Sequence, residues 1–306
     1  MITGPFNSRV NKILIIVCLF ITGFAGLVAE MCWLKKGVLI FGSTIYSMSV
    51  ITSVFFLGLA IGNIVFGKKS LTITQPLLWY GMCELCVGLF IIMSPLLFNI
   101  IEKCYIFLNS NFLGENRQFI LVLIKIALVC AIVLPPTIFM GASLPLFNKF
   151  FIRSFHSITP SIGLLYATNT FGGAAGVFFS GLLFIPFWGL TQTLIYAGGI
   201  SIVTVIIIIF SLRQYLLRSA EGEKSSGRQN LIDNQLSKSQ IVLMSILFFF
   251  AGAASMGNEL IWVRYLSLIT HNTVYTYTIT LGIILIGIML GSMLTGFLSS
   301  LFTSMT

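Results

Sequence analysis

The chain has 306 residues, of which 57% are hydrophobic and only 8% are charged, and its formal net charge is +9 at pH 7. This composition excludes an ordinary soluble globular protein, because apolar runs of about 20 residues are typical of helices that span a membrane. The basic residues are spread through short loops and form no patch with interleaved aromatic residues. This pattern argues against a nucleic-acid partner and predicts the lipid bilayer as the partner.

Eight apolar stretches predict eight transmembrane helices. Each stretch is long enough for a hydrocarbon core of about 30 Å at about 1.5 Å per residue. Backbone groups in lipid must pair within their own segment, so the predicted fold class is all-α, a polytopic helical membrane protein. The first stretch follows Arg9 and Lys12, but it is too long for a signal peptide and has no convincing cleavage site, so we expect it to be retained. The eight stretches are 13–34, 44–66, 77–100, 118–141, 161–186, 191–211, 241–263 and 274–298.

A polar segment divides the chain into three parts. Residues 1–211 form a predicted six-span membrane unit, 212–240 a cytoplasmic linker, and 241–306 the two-span start of a second unit. If the N-terminus is cytoplasmic, most of the 17 lysines and arginines fall in cytoplasmic segments. The positive-inside rule then predicts both termini in the cytoplasm, and we expect a bacterial cytoplasmic membrane as the location.

An internal repeat supports this division. Residues 20–33 read FITGFAGLVAEMCW and residues 249–262 read FFAGAASMGNELIW. The match continues without a gap, so we expect two structurally related halves, of which the second contributes only its first two spans. The aligned pairs are Gly23 with Gly252, Glu30 with Glu259, Trp33 with Trp262, Tyr46 with Tyr275, Gly58 with Gly287, Gly62 with Gly291 and Gly67 with Gly296.

The repeat carries one glutamate in each copy, Glu30 and Glu259, near the outer end of its span. An ionisable group at that depth costs a few kcal/mol unless it is paired or hydrated. Two interpretations stay open. One is a cation or proton site near the outer mouth of a cavity. The other is an anchor at the membrane surface, paired with one of the nearby basic residues Lys35, Lys36 and Arg264.

Three further polar residues lie deeper within the predicted spans. Glu84 and Asn169 lie in the inner halves of the third and fifth stretches, at a similar depth, whereas Lys125 lies in the outer half of the fourth. A hydrogen bond between Glu84 and Asn169 would hold two helices together. Contact with a solute or a proton is the alternative. The candidate binding residues are therefore Glu30, Glu84, Asn169 and Glu259.

Small residues and prolines predict how the spans pack. Gly58 and Gly62 are four residues apart, as are Gly172 and Gly176, and this spacing is typical of helix faces that approach another backbone closely. The Pro135–Pro136 pair predicts a kink or break in the fourth span.

No signature of catalysis, of a metal or of a cofactor is visible. Cys83 and Cys86 form a CxxC pair on one helix face, but no second pair of ligands accompanies them. There is no glycine-rich loop between a strand and a helix, and no Ser/His/Asp set. We therefore expect no enzyme activity, no catalytic residue and no cofactor.

Three stretches resemble the membrane region of the spermidine synthase-like (polyamine aminopropyltransferase-like) family. The first starts GFAGLVAEMCWLKK. The second is PPTIFMGASLPLFNKFF followed by GLLYATNTFGGAAGVFFSGLLFIPFWGL. The third is the repeat at 249–296. The resemblance implies a membrane region with distant similarity to major facilitator transporters. Members of the family join it to a soluble aminopropyltransferase domain that uses decarboxylated S-adenosylmethionine. No part of this sequence matches that domain, so no catalytic residue is carried over.

Residues and resemblance together predict transporter-like binding or movement of a small cationic solute such as a polyamine. The alternative is a non-transporting anchor or assembly module for an aminopropyltransferase-type partner. A soluble transferase or a second copy of the chain is then the expected protein partner.

Overall fold

The computed structural model describes residues 9–42, 44–70, 72–112, 118–155, 159–222, 237–270 and 273–305. Within these ranges the regular structure is entirely helical, so the predicted all-α class is confirmed for the described part of the chain. A π-helical turn, Ser180–Phe184, joins α5 to α6. The helices are α1 (Arg9–Phe41), α2 (Thr44–Ser70), α3 (Pro76–Phe112), α4 (Gln118–Phe155), α5 (Thr159–Phe179), α6 (Ile185–Gly222), α7 (Lys238–Thr270) and α8 (Thr273–Met305).

Seven helical stretches of the described residues are long and apolar enough to cross a membrane. This is the architecture of a multi-pass membrane protein. Six of the stretches match single predicted spans, and the seventh, Gly163–Ile209, covers two of them in 47 residues. Within it Gly189 departs from helical geometry, with φ 74° and ψ 173°. Such a backbone conformation is open to glycine and strained for other residues.

The helices extend beyond the predicted apolar stretches. The segment 101–117, between the third and fourth predicted spans, is helical as far as Phe112, because α3 continues past its apolar part. At the predicted linker 212–240, α6 reaches Gly222 and α7 begins at Lys238, while 223–236 lie outside the described residues. An apolar run marks only the part of a helix in hydrocarbon, and a helix can continue into the polar headgroup region.

Of the kink or break predicted for the fourth span, the break does not occur. Helix α4 runs through Pro135 and Pro136 without interruption. The prolines remove the backbone hydrogen bonds that would end on Ala131 and Ile132, but the bonds on either side remain. Because α4 packs extensively against α2 and α3, its two halves are held in one helix.

The first six helices pack in a pattern with internal symmetry. The most extensive contacts join α2 with α4, α1 with α5, α3 with α6, α3 with α4, and α1 with α6. Exchanging α1 with α4, α2 with α5 and α3 with α6 turns this set of pairs into itself. The helices α1–α3 and α4–α6 are therefore two three-helix groups with matching contacts.

Glycines bring the backbones of α2 and α4 into direct contact. A side chain on Gly62 would collide with the carbonyl of Ile138, and one on Gly141 would collide with the backbone of Leu59. On the other side of the six-helix unit, side chains on Gly172 or Gly176 would collide with the backbone of α1. The packing interpretation of the four-residue glycine spacing is confirmed for these two helix pairs.

Helices α7 and α8 begin at the sequence positions that the internal repeat aligns with the starts of α1 and α2. Arg9 to Lys238, Phe41 to Thr270 and Thr44 to Thr273 are each a step of 229 residues. Their packing nevertheless differs. Helix α8 packs closely against α5, where a side chain on Gly282 would collide with the Phe178 ring, but α7 contacts mainly α8 and touches α2 only slightly. Space is open around three repeated glycines, Gly252, Gly287 and Gly291.

Alanine at two repeat-related glycines should have opposite effects on stability. Gly62→Ala places a methyl group against the Ile138 carbonyl and is expected to destabilise the protein by about 1–3 kcal/mol through overpacking. Gly291→Ala meets open space and is expected to be neutral or to add up to about 1 kcal/mol through helix propensity. Thermal unfolding of the detergent-solubilised protein measures both, and equal shifts for the two variants would contradict the described contact.

Candidate functional site

The two repeat-related glutamates are both buried and lie near each other. Glu30 on α1 is 2% exposed and Glu259 on α7 is 7% exposed. Their carboxylates are within electrostatic range of each other, where like charges repel. Residues separated by most of the chain are thus brought together between the six-helix unit and the α7–α8 pair.

Two buried hydroxyl groups belong to the same region as the glutamates. Tyr277 on α8 is 3% exposed and lies within electrostatic range of both carboxylates. Its hydroxyl is beside that of Thr52 on α2, which is 6% exposed, but the two do not form a hydrogen bond of normal geometry. Neither buried oxygen has a hydrogen-bond partner. We call Glu30, Thr52, Glu259 and Tyr277 the paired-glutamate cluster.

The anchor interpretation of the glutamates is not supported by these contacts. Within the described part of the chain, neither carboxylate forms an ion pair with Lys35, Lys36 or Arg264. Arg264 is exposed, whereas both glutamates are buried. Two carboxylates held together away from water require a compensating positive charge, because their repulsion is only weakly screened there. The cluster is therefore chemically suited to a proton or a cation.

A second buried polar network surrounds Glu84 on α3. Glu84 is 3% exposed and accepts a hydrogen bond of 2.9 Å from the Ser143 hydroxyl on α4. One turn earlier, the Tyr80 hydroxyl donates to Thr22 on α1 at 3.3 Å. These bonds connect α3 to α4 and to α1, as expected for hydrogen bonds that hold a helical bundle together.

The predicted hydrogen bond between Glu84 and Asn169 is not formed among the described residues. Asn169 on α5 lies against Gly23 of α1, where its backbone carbonyl occupies the space of a missing side chain. Thr22, the neighbour of Gly23, instead meets α3 through Tyr80. Helix α1 therefore lies between the two residues, and their similar depth in the membrane does not bring them into contact.

The cysteines show no arrangement for a metal. Cys83 is buried and Cys86 is half-buried, and both are free. In the ranges that the structure describes, no group of three or more His, Cys, Asp and Glu side chains could hold a metal ion. Cys83 belongs to a buried apolar cluster that also contains Tyr80 and Phe147.

Three residues of these networks gave no signal in the sequence. Thr52, Ser143 and Tyr277 are ordinary residues for apolar helices, and nothing in their neighbourhood along the chain marks them. Their importance arises from contacts between helices far apart in sequence. The repeated glutamates were visible because each is an ionisable residue in an apolar run.

Removing the Ser143 hydroxyl, which donates a hydrogen bond to Glu84, should destabilise the bundle. Ser143→Ala takes the 2.9 Å hydrogen bond from a buried carboxyl, with an expected cost of about 1–3 kcal/mol. Ser292→Ala is the matched control, because the Ser292 hydroxyl bonds only to carbonyls of its own helix. Thermal unfolding of both variants measures the difference, and an equal effect would show that Glu84 does not depend on Ser143.

Comparison with protein-family models, with curated proteins and with solved structures finds no match. A proposal of function must therefore be argued from the buried polar groups of the chain itself. Of these, the paired-glutamate cluster is the group with both like charges and unsatisfied hydroxyls.

Proposed function

We propose that the chain is a transporter-like membrane protein that binds or moves a small cationic solute such as a polyamine, in a bacterial cytoplasmic membrane. The supporting observation is that Glu30 and Glu259 are both buried and lie within electrostatic range of each other, one in the six-helix unit and one in the α7–α8 pair. A cationic solute would supply the positive charge that two adjacent carboxylates require. On this proposal the chain performs no covalent chemistry of its own.

The proposal includes eight membrane crossings with both termini in the cytoplasm. The stretch Gly163–Ile209 would be about 70 Å long as one straight helix, more than twice a hydrocarbon core of about 30 Å. A reversal at Gly189 turns it into two crossings, and its non-helical backbone supports that reading. A six-span unit followed by two spans of a second unit is then the expected arrangement.

Two kinds of symmetry support a transporter-like architecture. The contacts of α1–α3 and α4–α6 exchange with one another, as expected for three-helix repeats of opposite orientation. The step of 229 residues from α1 and α2 to α7 and α8 is a second, direct repeat. Transporter folds commonly hold their solute where such repeats meet, and the paired-glutamate cluster has that position.

The alternative is a non-transporting anchor or assembly module for an aminopropyltransferase-type partner. It is favoured by the loose packing of α7, which leaves many of its large apolar side chains exposed. Lipid or another protein would cover that surface. A soluble transferase that co-purifies with the chain, in the absence of solute flux, would favour this alternative.

Uptake into proteoliposomes tests the role of the glutamates. We expect the unmodified chain to take up radiolabelled spermidine, and Glu30→Gln and Glu259→Gln each to reduce the rate by tenfold or more, since each removes one charge and keeps the shape. Ser292→Ala serves as the control, because Ser292 lies about four helical turns from Tyr277 along α8 and its hydroxyl bonds within its own helix. Unchanged uptake in both glutamine variants would remove the pair from the mechanism.

Reporter fusions test the eight crossings. Alkaline phosphatase is active only outside the cytoplasm, so a fusion at Gly189 is expected to be active and a fusion within 223–236 inactive. An inactive fusion at Gly189 would contradict the proposed reversal. Activity at 223–236 would instead invert the proposed orientation of the chain.

A further inference from the structure

The unsatisfied hydroxyls of the paired-glutamate cluster indicate what kind of cation it takes. A buried hydroxyl without a partner costs about 1–3 kcal/mol, and here two occur side by side, on Thr52 and Tyr277. Tyr277 lies within electrostatic range of both carboxylates, and Thr52 lies beside Tyr277. A ligand that supplies charge and hydrogen-bond donors together would satisfy all four side chains.

We propose that the cluster binds a primary ammonium group, with Thr52 and Tyr277 as its specificity-determining residues. This inference rests on the proposed function, because it names the chemical group by which the cationic solute is held. A primary ammonium has three N–H donors. Two of them reach Glu30 and Glu259, and the third reaches one hydroxyl. The other hydroxyl donates its own hydrogen to the first, since the two lie beside each other.

A quaternary ammonium fits this cluster poorly. It has no N–H group and is normally recognised by the faces of several aromatic rings. The cluster instead presents oxygen atoms from four helices, and its tyrosine contributes a hydroxyl with no partner. A quaternary ligand would bring charge but leave Thr52 and Tyr277 unsatisfied.

A divalent metal ion is also a weaker match. Calcium takes six to eight oxygen ligands, and magnesium demands near-octahedral geometry. The cluster has two carboxylates and two hydroxyls, and no larger group of acidic side chains suited to a metal occurs in the described residues. Directional N–H donors therefore match this set of acceptors better than a metal ion does.

The test compares two probes of equal charge and chain length on the full chain in lipid nanodiscs. Isothermal titration calorimetry is expected to show n-butylammonium binding at least tenfold more tightly than n-butyltrimethylammonium. Thr52→Val and Tyr277→Phe should each weaken n-butylammonium binding by about tenfold, because one removes the hydroxyl that accepts from the ammonium and the other removes the hydroxyl that donates to that acceptor. Binding of the trimethyl probe should not change in either variant.

Two controls separate this effect from a general loss of stability. Thr204→Val makes the same change at a buried threonine whose hydroxyl bonds to Ile200 of its own helix at 2.9 Å. Tyr275→Phe makes the same change two residues from Tyr277, at an exposed position of α8. Both are expected to bind n-butylammonium as the unmodified chain does.

Equal binding of the two probes to the unmodified chain would overturn the ammonium proposal without any variant being needed. Displacement of n-butylammonium by equimolar Na⁺ or Ca²⁺ would also overturn it and would show a metal-ion site. In both cases a cation still binds, so the proposed function stands. If neither probe binds and spermidine uptake does not depend on Glu30 or Glu259, the proposed function itself fails.

Discussion

Close approach of helix backbones at glycines is the interaction on which this structure depends. In lipid the hydrophobic effect does not drive helices together, so a bundle relies on packing and on hydrogen bonds between helices. Here the backbones of α2 and α4 touch at Gly62 and Gly141, and those of α1 and α5 at Gly172 and Gly176. Such contacts tolerate little sliding. They fix the depth of each helix and thereby the level of every polar side chain that it carries.

Helix α1 transmits this constraint to the buried polar groups. Its backbone is held by α5, and its side chains reach α3 through two hydrogen bonds, from Tyr80 to Thr22 and from Trp33 to Ser94. Glu30 lies between those two levels of α1, on a helix fixed on several sides. Glu259 has the equivalent position on α7, which has far fewer neighbours. The two carboxylates thus belong to one firmly held helix and one loosely held helix.

The class of fold and part of the candidate site could be predicted from the sequence. Apolar runs predicted the helices, glycine spacing predicted two close packing faces, and an ionisable residue in each copy of the repeat marked Glu30 and Glu259. The fourth span does not break at Pro135 and Pro136, because packing against α2 and α3 outweighs the loss of two backbone bonds. The predicted Glu84–Asn169 contact was wrong because equal depth does not specify neighbours around the bundle. Thr52 and Tyr277 were missed, because only the tertiary fold gives their hydroxyls a role.

The repeat also explains why the glutamates meet at a junction and not within one unit. In the first copy, α4 occupies the space beside Gly58 and Gly62, so this face of α2 is closely packed. In the second, Gly287 and Gly291 face open space, and α7 and α8 join the rest mainly through α5. Repulsion between the carboxylates therefore acts between α1, which is packed on several sides, and α7, which has few neighbours. A positive charge placed between them would remove that repulsion and favour closer packing of α7 on α1, so the proposed ligand would act on helix packing through the same two side chains.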